Sequence, residues 1–218
     1  ALRANTVRLT GLTPGTTYYY QVGSEGNWSE IRTFTTVPQD ASTTSFFVLG
    51  DIQTDNTANL AAVTQRLAEN TYDFGIQTGD AIDGVNKLGQ WRGFLTVLNS
   101  KELHGADLIH TMGNHEYYGD ADGTISGTIY DLPESAQNSW YQMEYGNVCV
   151  VVVNNGSDLA GAMEDISKNL NTSCAWKVLV AHQPVYGTNE PLTGETLSRV
   201  TAAVEAAGFD VVFGGDDH

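Results

Sequence analysis

The stretch Gly113-Asn114-His115-Glu116 directly follows the apolar run Leu108-Ile109-His110-Thr111-Met112 and decides how the chain is organised. A short apolar run that stops at Gly-Asn is typical of a buried strand that ends in a loop. In open α/β sheets, the loops at the carboxyl ends of parallel strands carry the chemistry. The pattern therefore predicts that Asn114 and His115 stand at the edge of a sheet, although a simple turn with an exposed histidine would give the same four residues.

Four further apolar runs also end in small, acidic or imidazole-bearing residues. Because parallel strands bring their carboxyl ends together, we expect the five strand ends to converge on one edge. Together they offer Asp, Asn and His side chains, which suit Mn, Fe or Zn. The sequence therefore predicts a metal site. The four runs are Phe46–Leu49 before Gly50-Asp51, Tyr72–Gln77 before Thr78-Gly79-Asp80, Val178–Ala181 before His182, and Phe209–Phe213 before Gly214-Gly215-Asp216-Asp217-His218.

The composition is that of a globular protein with one large domain and an appendage, since the chain has 218 residues, 41% of them hydrophobic and 17% charged. No apolar run approaches the roughly 20 residues that a membrane helix requires, and the first residues lack a signal-peptide pattern. A net charge of −16 with only ten Lys and Arg residues excludes broad binding to a nucleic-acid backbone. An anionic substrate would therefore need metal to attract it. The sequence gives no indication of the oligomeric state.

The first part of the chain reads as short antiparallel strands. Val7–Gly23 and Glu30–Thr36 alternate β-forming residues around Pro-Gly and Gly-Asn turns, which predicts two or three strands. The string L-x-P-G-T-x-Y-x-Y-x-V resembles one corner and strand of a fibronectin type III sandwich, with Tyr18 as the corner tyrosine. Such a sandwich takes about 100 residues. We therefore expect residues 1–37 to be the last strands of a larger positioning domain, and residues 38–44 to be a linker.

From residue 45 onward, strands and helices alternate, which favours a layered, largely parallel sheet. Residues 56–68 repeat apolar positions at helical spacing, and the same spacing predicts a second helix from Trp91, Phe94, Leu95 and Leu98. Residues 119–138 show little periodicity and are expected to form a long loop beside the site. The remaining predicted elements are strands 140–144 and 148–153 around the turn Tyr145-Gly146-Asn147, helix 161–170, strand 177–181, helix 193–207 and strand 209–213.

Two cysteines and two histidines fall outside the pattern of strand ends. Cys149 and Cys174 are too few for a disulfide framework and have no C-x-x-C spacing. Two interpretations remain open, namely small buried residues or a single disulfide between neighbouring strands, which needs an oxidising compartment. His104 and His110 are interpreted as structural.

Five ordered blocks resemble the calcineurin-like metallophosphoesterases, whose pattern is D-x-H, G-D, G-N-H-[DE], H and G-H-x-H. The resemblance covers roughly residues 44–218, and a fibronectin-like stretch directly before such a domain is similar to the purple acid phosphatases. It implies an α/β fold for residues 45–218, a layered metallophosphoesterase sandwich of mixed, largely parallel sheets flanked by helices. A small all-β remnant precedes it, and the C-terminus is expected to be truncated. The blocks are Gly50-Asp51, Gly79-Asp80, Gly113-Asn114-His115-Glu116, His182 and Gly215-Asp216-Asp217-His218.

The resemblance also implies a pair of transition-metal ions, divalent or of mixed valence, drawn from Fe, Mn and Zn. A shared carboxylate keeps two such ions about 3.5 to 4 Å apart, a separation that lets both hold one phosphoryl group. Asp80 is the residue expected to bridge them. One metal would be held by Asp51, Asp80 and His218, and the other by Asp80, Asn114, His182 and Asp216.

The activity implied is that of a binuclear metal-dependent hydrolase of phosphate esters, acting on phosphomonoesters or small phosphodiesters. A metal-bridging hydroxide would be the nucleophile, His115 would protonate the leaving oxygen or stabilise the charge that it develops, and Glu116 would orient the ring of His115. The expected location is extracellular or at the cell surface. The alternative is a degenerate, surface-displayed binding module that has lost one metal and its catalysis.

Three residues depart from the pattern. Gln53 stands where D-x-H members have His and purple acid phosphatases have Gly, and its amide oxygen could still reach a hard metal. Asp83 replaces the Tyr that binds ferric iron in purple acid phosphatases, so no purple colour is expected. Asp216 replaces the first His of G-H-x-H, and a carboxylate there can coordinate and favours Mn or Fe.

Overall fold

The computed structural model describes residues 4–55, 57–98, 106–133, 136, 139–170, 172–188 and 191–217. Its strands are β1 (Thr17–Tyr20), β2 (Gly23–Ser24), β3 (Asn27–Trp28), β4 (Arg32–Thr35), β5 (Phe46–Leu49), β6 (Phe74–Gln77), β7 (Asp107–His110), β8 (Trp140–Tyr145), β9 (Val148–Val153), β10 (Trp176–Ala181) and β11 (Val211–Phe213). Its helices are α1 (Thr57–Leu67), α2 (Leu88–Leu98), α3 (Thr124–Ile129), α4 (Leu159–Asn169) and α5 (Gly194–Ala207), with a short 3-10 helix at His115–Tyr117. Within these ranges, no helix has the length and apolar character that crossing a bilayer requires.

The N-terminal strands form two small antiparallel pairs, β1 with β4 and β2 with β3. The ring of Tyr18 stacks on Phe34 with 5.6 Å between ring centroids. The backbone N–H of Thr13 donates a hydrogen bond of 2.8 Å to the hydroxyl of Tyr18. A tyrosine corner makes this kind of bond to backbone a few residues upstream, so the contact expected of Tyr18 is present.

The first large sheet has the order β5-β6-β7 and is entirely parallel. Its central strand, β6, is buried along its whole length, as expected for a short apolar strand covered on both faces. Gly75 in this strand has a packing reason, because a Cβ at this position would lie 2.3 Å from the ring of Phe47. The helices α1 and α2 connect the three strands, as the alternating pattern predicted.

The second large sheet has the order β11-β10-β9-β8 and is mixed, since β9 is parallel to β10 and antiparallel to β8. All six residues of β9 are buried. Cys149 on this strand forms a disulfide with Cys174, which directly precedes β10. Of the two interpretations of the cysteines, the structure shows the disulfide, and the alternative of two free buried thiols is wrong.

The two large sheets pack face to face, with helices on both outer sides. Side chains from β6, β7, β9 and β10 form the inner core, while α4 and α5 cover the outer face of the second sheet. A third cluster joins α1 and α2 to the loops after β6 and β7. The predicted layered sandwich is confirmed. The expectation of one common edge is corrected, because the five strand ends belong to two sheets whose carboxyl ends meet.

The predicted elements after residue 45 are present, with bounds that differ by one or two residues. The long loop expected over residues 119–138 is wrong in part, because α3 lies within it. This helix has only six residues, too few to show a helical period in the sequence. It is fixed from outside, since the hydroxyl of Ser126 donates to the carbonyl of Glu116 at 2.9 Å.

Candidate metal centre

Three strand ends bring the centre of the site together. Asp51 follows β5, Asp80 follows β6 and His182 follows β10, so both large sheets contribute. One ligand atom from each residue lies within 4.8 Å of the others. Asp80 and His182 are each only 1% exposed. The carboxyl ends of the two sheets therefore place two carboxylates and an imidazole around one buried point.

The backbone at this point is strained in a consistent way. The φ angles of Asp51, Asp80 and Asp216 are 51°, 56° and 64°, in the left-handed region that non-glycine residues rarely adopt. Gln53, with a φ of 24°, lies in the same loop as Asp51. Left-handed residues cost on the order of 1 kcal/mol each and cluster where function requires them. Three residues with this backbone, Asp51, Asp80 and Asp216, are among the ligands that the sequence pattern indicated.

The tautomer of His182 is fixed by its surroundings. Its Nδ1 lies 2.9 Å from the carbonyl oxygen of Thr78, which can only accept, so Nδ1 carries a hydrogen. Its Nε2 faces Asp80 Oδ2 at 3.3 Å and Asp216 Oδ1 at 3.5 Å. Burial lowers the pKa of His182, but the hydrogen bond and charge of Asp80 outweigh burial and raise the pKa to about 9. Nε2 is therefore the ring nitrogen that faces the carboxylates and could bind a metal cation.

The side-chain amide of Asn114 lies at the same point. Its Oδ1 lies 3.0 Å from Nε2 of His182, while its Nδ2 donates to the hydroxyl of Tyr118 at 3.1 Å. With the amide turned over, the nitrogen would instead donate to His182 at 3.0 Å and to Asp80 at 3.2 Å. The first orientation leaves an amide oxygen, carboxylates and an imidazole nitrogen facing one another. Such a set of acceptors fits a transition-metal ion.

Asp216 and Gln53 complete the described part of the cluster. The backbone N–H of Asp216 donates to Asp51 Oδ1 at 2.9 Å, so the last block holds the first ligand in place. The side chain of Gln53 donates from Nε2 to Asp80 Oδ2 at 2.9 Å, which places its nitrogen toward the carboxylate. The structure therefore brings together Asp51, Asp80, Asn114, His182 and Asp216, while the predicted ligand His218 lies outside the described residues.

His115 lies beside the centre on its more open side, with its side chain 27% exposed. Its backbone N–H donates to Asp80 Oδ1 at 3.1 Å, and its Nε2 is 3.7 Å from Asp80 Oδ2. Its Nδ1 lies 3.1 Å from the carbonyl oxygen of Asp83. Because this carbonyl can only accept, Nδ1 is the donor and Nε2 is the nitrogen directed at the centre.

The expected role of Glu116 is wrong. Its side chain is fully buried and accepts four hydrogen bonds, none of them from His115. Adjacent residues of a 3-10 helix point about 120° apart, so the side chain of Glu116 turns away from the ring of His115. Burial and then the charge of Asp80 raise the pKa of Glu116. The donors are the backbone N–H groups of Asp80, Ala81 and Gly113, each at 2.8 Å, and the hydroxyl of Tyr130 at 3.0 Å.

Glu116 therefore clamps the loop after β6 to the loop after β7, and these loops carry Asp80 and Asn114. Sequence reasoning missed this role and also the contacts of Thr78, Tyr118 and Tyr130. The Tyr130 contact had no usable signal, because it joins residues 14 apart across a segment without periodicity. A partial signal existed for the clamp, since a carboxylate next to glycine-rich turns often accepts backbone N–H groups.

The sequence matches two family models. Residues 2–36 match the N-terminal domain of purple acid phosphatases, and residues 44–218 match the calcineurin-like phosphoesterases. The second match covers most of the chain.

Curated relatives with similar sequences are acid phosphatases. Purple acid phosphatase 22 of Arabidopsis thaliana is 26% identical over 235 residues, covering 97% of this chain and 52% of the relative. Purple acid phosphatase 21 of the same plant is 26% identical, covering 97% of this chain and 51% of the relative. Acid phosphatase type 7 of Danio rerio is 24% identical, covering 84% and 46%. The chain thus spans about half the length of the curated relatives that it matches.

Solved structures show the same fold. A purple acid phosphatase from seeds of yellow lupin (Lupinus luteus) superposes with a TM-score of 0.75 at 17% identity, covering 95% of this chain and 45% of that one. A dimetal phosphatase from Danio rerio gives a TM-score of 0.58 at 15% identity, covering 81% of this chain and 82% of that one. Together with the family match over residues 44–218, the ordered strand-end blocks show that the chain belongs to the calcineurin-like phosphoesterase family.

Proposed function

We propose that this chain carries the metal centre of a binuclear phosphate-ester hydrolase, acting on phosphomonoesters or small phosphodiesters. The observation that supports this proposal most directly is the convergence of acceptor atoms from both sheets on one buried point. Such a point is costly without a cation, because carboxylates that face one another repel. We further propose that residues 45–218 form the catalytic unit and residues 1–37 a separate positioning module, joined by residues 38–44.

The proposed holders of the ions are the clustered residues already described. Asp80 has a ligand atom within 4.8 Å of those of both Asp51 and His182 and is proposed to serve both ions. When bound, two divalent transition-metal ions would polarise the phosphoryl group and activate water. The ligands are proposed to be Asp51, Asp80, Asn114, His182 and Asp216, with His218 as a further one.

His115 is proposed as the proton donor to the leaving oxygen. Its Nε2 is directed at the centre while its Nδ1 donates to the carbonyl of Asp83, so the protonated ring has one hydrogen bonded and one available. Its partial exposure lets it recover a proton from solvent after each turnover. General acid catalysis of this kind is worth about 10² to 10⁴ in rate.

Metal analysis together with turnover of an aryl phosphate tests the proposal on the full-length protein. The hydrolase should hold two transition ions per chain and release phosphate from the substrate. Asp80→Asn should lose both ions together, because a bridging ligand serves both. Asp40→Asn makes the same charge change at an exposed position and should keep both ions and turnover.

Two results would contradict this function. One ion or none, without turnover, would favour the alternative of a binding module, which the site as described does not favour. Two ions bound without turnover of either aryl monoesters or diesters would show that the centre holds metal for another purpose. Comparison of the two substrate types also decides between monoester and diester preference.

We also propose that the protein works outside the cytoplasm. The disulfide between Cys149 and Cys174 supports this location, because such bonds persist mainly in oxidising compartments. Alkylation in denaturant of the protein isolated from its source, without reductant, should label neither cysteine, whereas prior reduction should expose both. Labelling without reductant would contradict an oxidising location.

A further inference from the structure

We propose that Gln90, on the buried face of α2, is a positioning residue that fixes the ring of His115. This inference rests on the proposed function, in which His115 donates a proton to the leaving group. Gln90 does not contact His115 directly. It acts through Asp83, which holds Gln90 on one side and His115 on the other.

The first link is the bond between the His115 ring and the backbone of Asp83. The ring of His115 is partly exposed and packs against the ring of Tyr118 with 4.5 Å between centroids, a contact that fixes neither ring nitrogen. The carbonyl of Asp83, 3.1 Å from Nδ1, selects the tautomer and the ring rotation that direct Nε2 toward Asp80. The position of this single carbonyl therefore decides where Nε2 points, and with it the hydrogen that Nε2 carries when the ring is protonated.

The second link is a closed pair of hydrogen bonds between Asp83 and Gln90. The backbone N–H of Asp83 donates to Oε1 of Gln90 at 2.7 Å, and Nε2 of Gln90 donates to Oδ2 of Asp83 at 2.7 Å. Gln90 is only 2% exposed, so neither bond is readily replaced by solvent. One carboxamide thus holds both the backbone and the side chain of the residue whose carbonyl meets His115.

The carboxylate of Asp83 is engaged by Gln90, and the contact of Asp83 with His115 runs through the backbone. The position of the Asp83 loop therefore determines how the ring of His115 is oriented, and the negative charge of Asp83 does not. Asp83 stands where purple acid phosphatases have the tyrosine that binds ferric iron, and the arrangement gives the residue at this position a different role.

The helix that carries Gln90 is firmly anchored. Trp91, the next residue, is fully buried and packs edge-on against Tyr130 at 5.6 Å between ring centroids. On the other side, the backbone N–H of Val85 donates to the carbonyl of Tyr118 at 3.1 Å, which ties the Asp83 loop to the turn after His115. Gln90 therefore links a rigid core helix, through Asp83, to the ring of His115 at the edge of the site.

The chemical consequence concerns the leaving group. As the bond from phosphorus to the leaving oxygen breaks, its electron pair stays on that oxygen, and the Nε2 proton of His115 moves onto it. A new bond forms from phosphorus to the oxygen of a water molecule, which releases one proton to solvent. Proton transfer matters most for a poor leaving group such as phenol, and least for a strongly acidic one such as 2,4-dinitrophenol. A misdirected ring should therefore slow phenyl phosphate much more than the dinitrophenyl ester.

Exchanging the hydrogen-bond donor and acceptor between the side chains of Gln90 and Asp83 tests the inference. Gln90→Glu places two carboxylates against each other and should open the pair. Combining Gln90→Glu with Asp83→Asn restores a donor opposite an acceptor, because the asparagine amide can donate to the new carboxylate. Gln65→Glu adds the same charge to an exposed position on α1 and is the matched control.

The expected kinetic result is selective for kcat. Gln90→Glu should lower kcat for phenyl phosphate by about 10-fold, a part of the 10² to 10⁴ that a general acid supplies, with KM little changed. The dinitrophenyl ester should lose less than about 2-fold by the same reasoning. The double variant should recover most of the loss, and Gln65→Glu should lose none. Equal losses for both esters, or no recovery in the double variant, would overturn the inference.

A spectroscopic measurement keeps the inference testable without turnover. With ¹⁵N-labelled histidine and zinc added, the ring nitrogens of His115 should show hydrogen on Nδ1 in the parent protein. Gln90→Glu should give a mixture of tautomers, and the double variant should restore the parent signals. An unchanged tautomer in Gln90→Glu would refute the positioning role. A parent protein that shows this pattern but no turnover would defeat the proposed function alone.

Discussion

Replacing Glu116 by glutamine tests whether this side chain is the clamp between the two ligand-bearing loops. The substitution keeps the shape and removes the charge. One carboxylate oxygen accepts from the N–H groups of Asp80 and Gly113, and the other from the N–H of Ala81 and the hydroxyl of Tyr130. A glutamine has only one acceptor oxygen, so its NH₂ group must face one of these two pairs of donors.

The lower-energy choice turns the NH₂ group toward Tyr130, whose hydroxyl can rotate and accept. This leaves the N–H of Ala81 buried without a partner, at a cost of about 1 to 3 kcal/mol. The two bonds to Asp80 and Gly113 change from charge-assisted to neutral, at about 1 kcal/mol each. Removal of a buried negative charge beside Asp80 offsets part of the sum. We expect the free energy of unfolding to fall by about 3 kcal/mol.

Guanidinium unfolding followed by circular dichroism measures this loss, and zinc titration measures its effect on the site. The loops that the clamp joins carry proposed ligands, so zinc affinity should fall about 10- to 100-fold, as for other residues that support ligands. Glu164→Gln is the matched control. Glu164 pairs with Arg199 on the surface at 2.7 Å, and losing an exposed pair of this kind should leave the unfolding midpoint nearly unchanged.

The reasoning would be refuted by a Glu116→Gln protein with the stability and zinc affinity of the parent. It would also be refuted by a variant with parental stability and metal content whose ring signals from His115 changed, because that result would restore the orienting role first expected from the sequence. A loss equal to that of Glu164→Gln would show that the four buried contacts stabilise the fold no more than one exposed ion pair.

Three further predictions concern catalysis, the disulfide and pH. His115→Ala should cut turnover by about 10² to 10⁴ with both metals retained, and unchanged turnover would remove His115 from the mechanism. Replacing Cys149 and Cys174 by serine should lower the free energy of unfolding in urea by about 3.5 kcal/mol, because the bond closes a loop of 25 residues. An unfolding midpoint equal to that of the parent would contradict this. Burial lowers the pKa of His110 to about 3, so the unfolded state binds the extra proton and stability is lost as pH falls from about 6.5 toward 3. Between pH 7 and pH 5, the parent should therefore lose about 2 kcal/mol more of its free energy of unfolding than His110→Phe loses. An equal pH dependence in both proteins would refute this.

The order of strands and helices and most of the candidate metal centre could be predicted because their signals are local. A strand such as Phe46–Leu49 is a continuous apolar run, and the residue that follows it necessarily stands at the end of the sheet. Asp51, Asp80 and His182 were found in this way, and their convergence follows from the topology.

The rest depends on distances that the sequence does not encode locally. The roles of Glu116 and Gln90 arise from contacts between separate loops, and α3 is too short to show a period. The disulfide was one of two open interpretations, because two cysteines 25 residues apart carry no information about their separation in space. Side chains that contact only the backbone of the loops carrying the proposed ligands were not predicted, for the same reason.

The left-handed backbone of Asp51, Asp80 and Asp216 has a consequence for protein engineering. Without cations, each of these residues burdens folding twice, through its conformation and through repulsion between neighbouring carboxylates. Glycine or asparagine would relieve both burdens at once, since each accepts a positive φ and neither is charged. A laboratory selection for heat resistance alone, run without metal, should therefore enrich those residues and erase the centre. Libraries meant to yield a robust catalyst need these three codons held constant, or metal supplied throughout the selection.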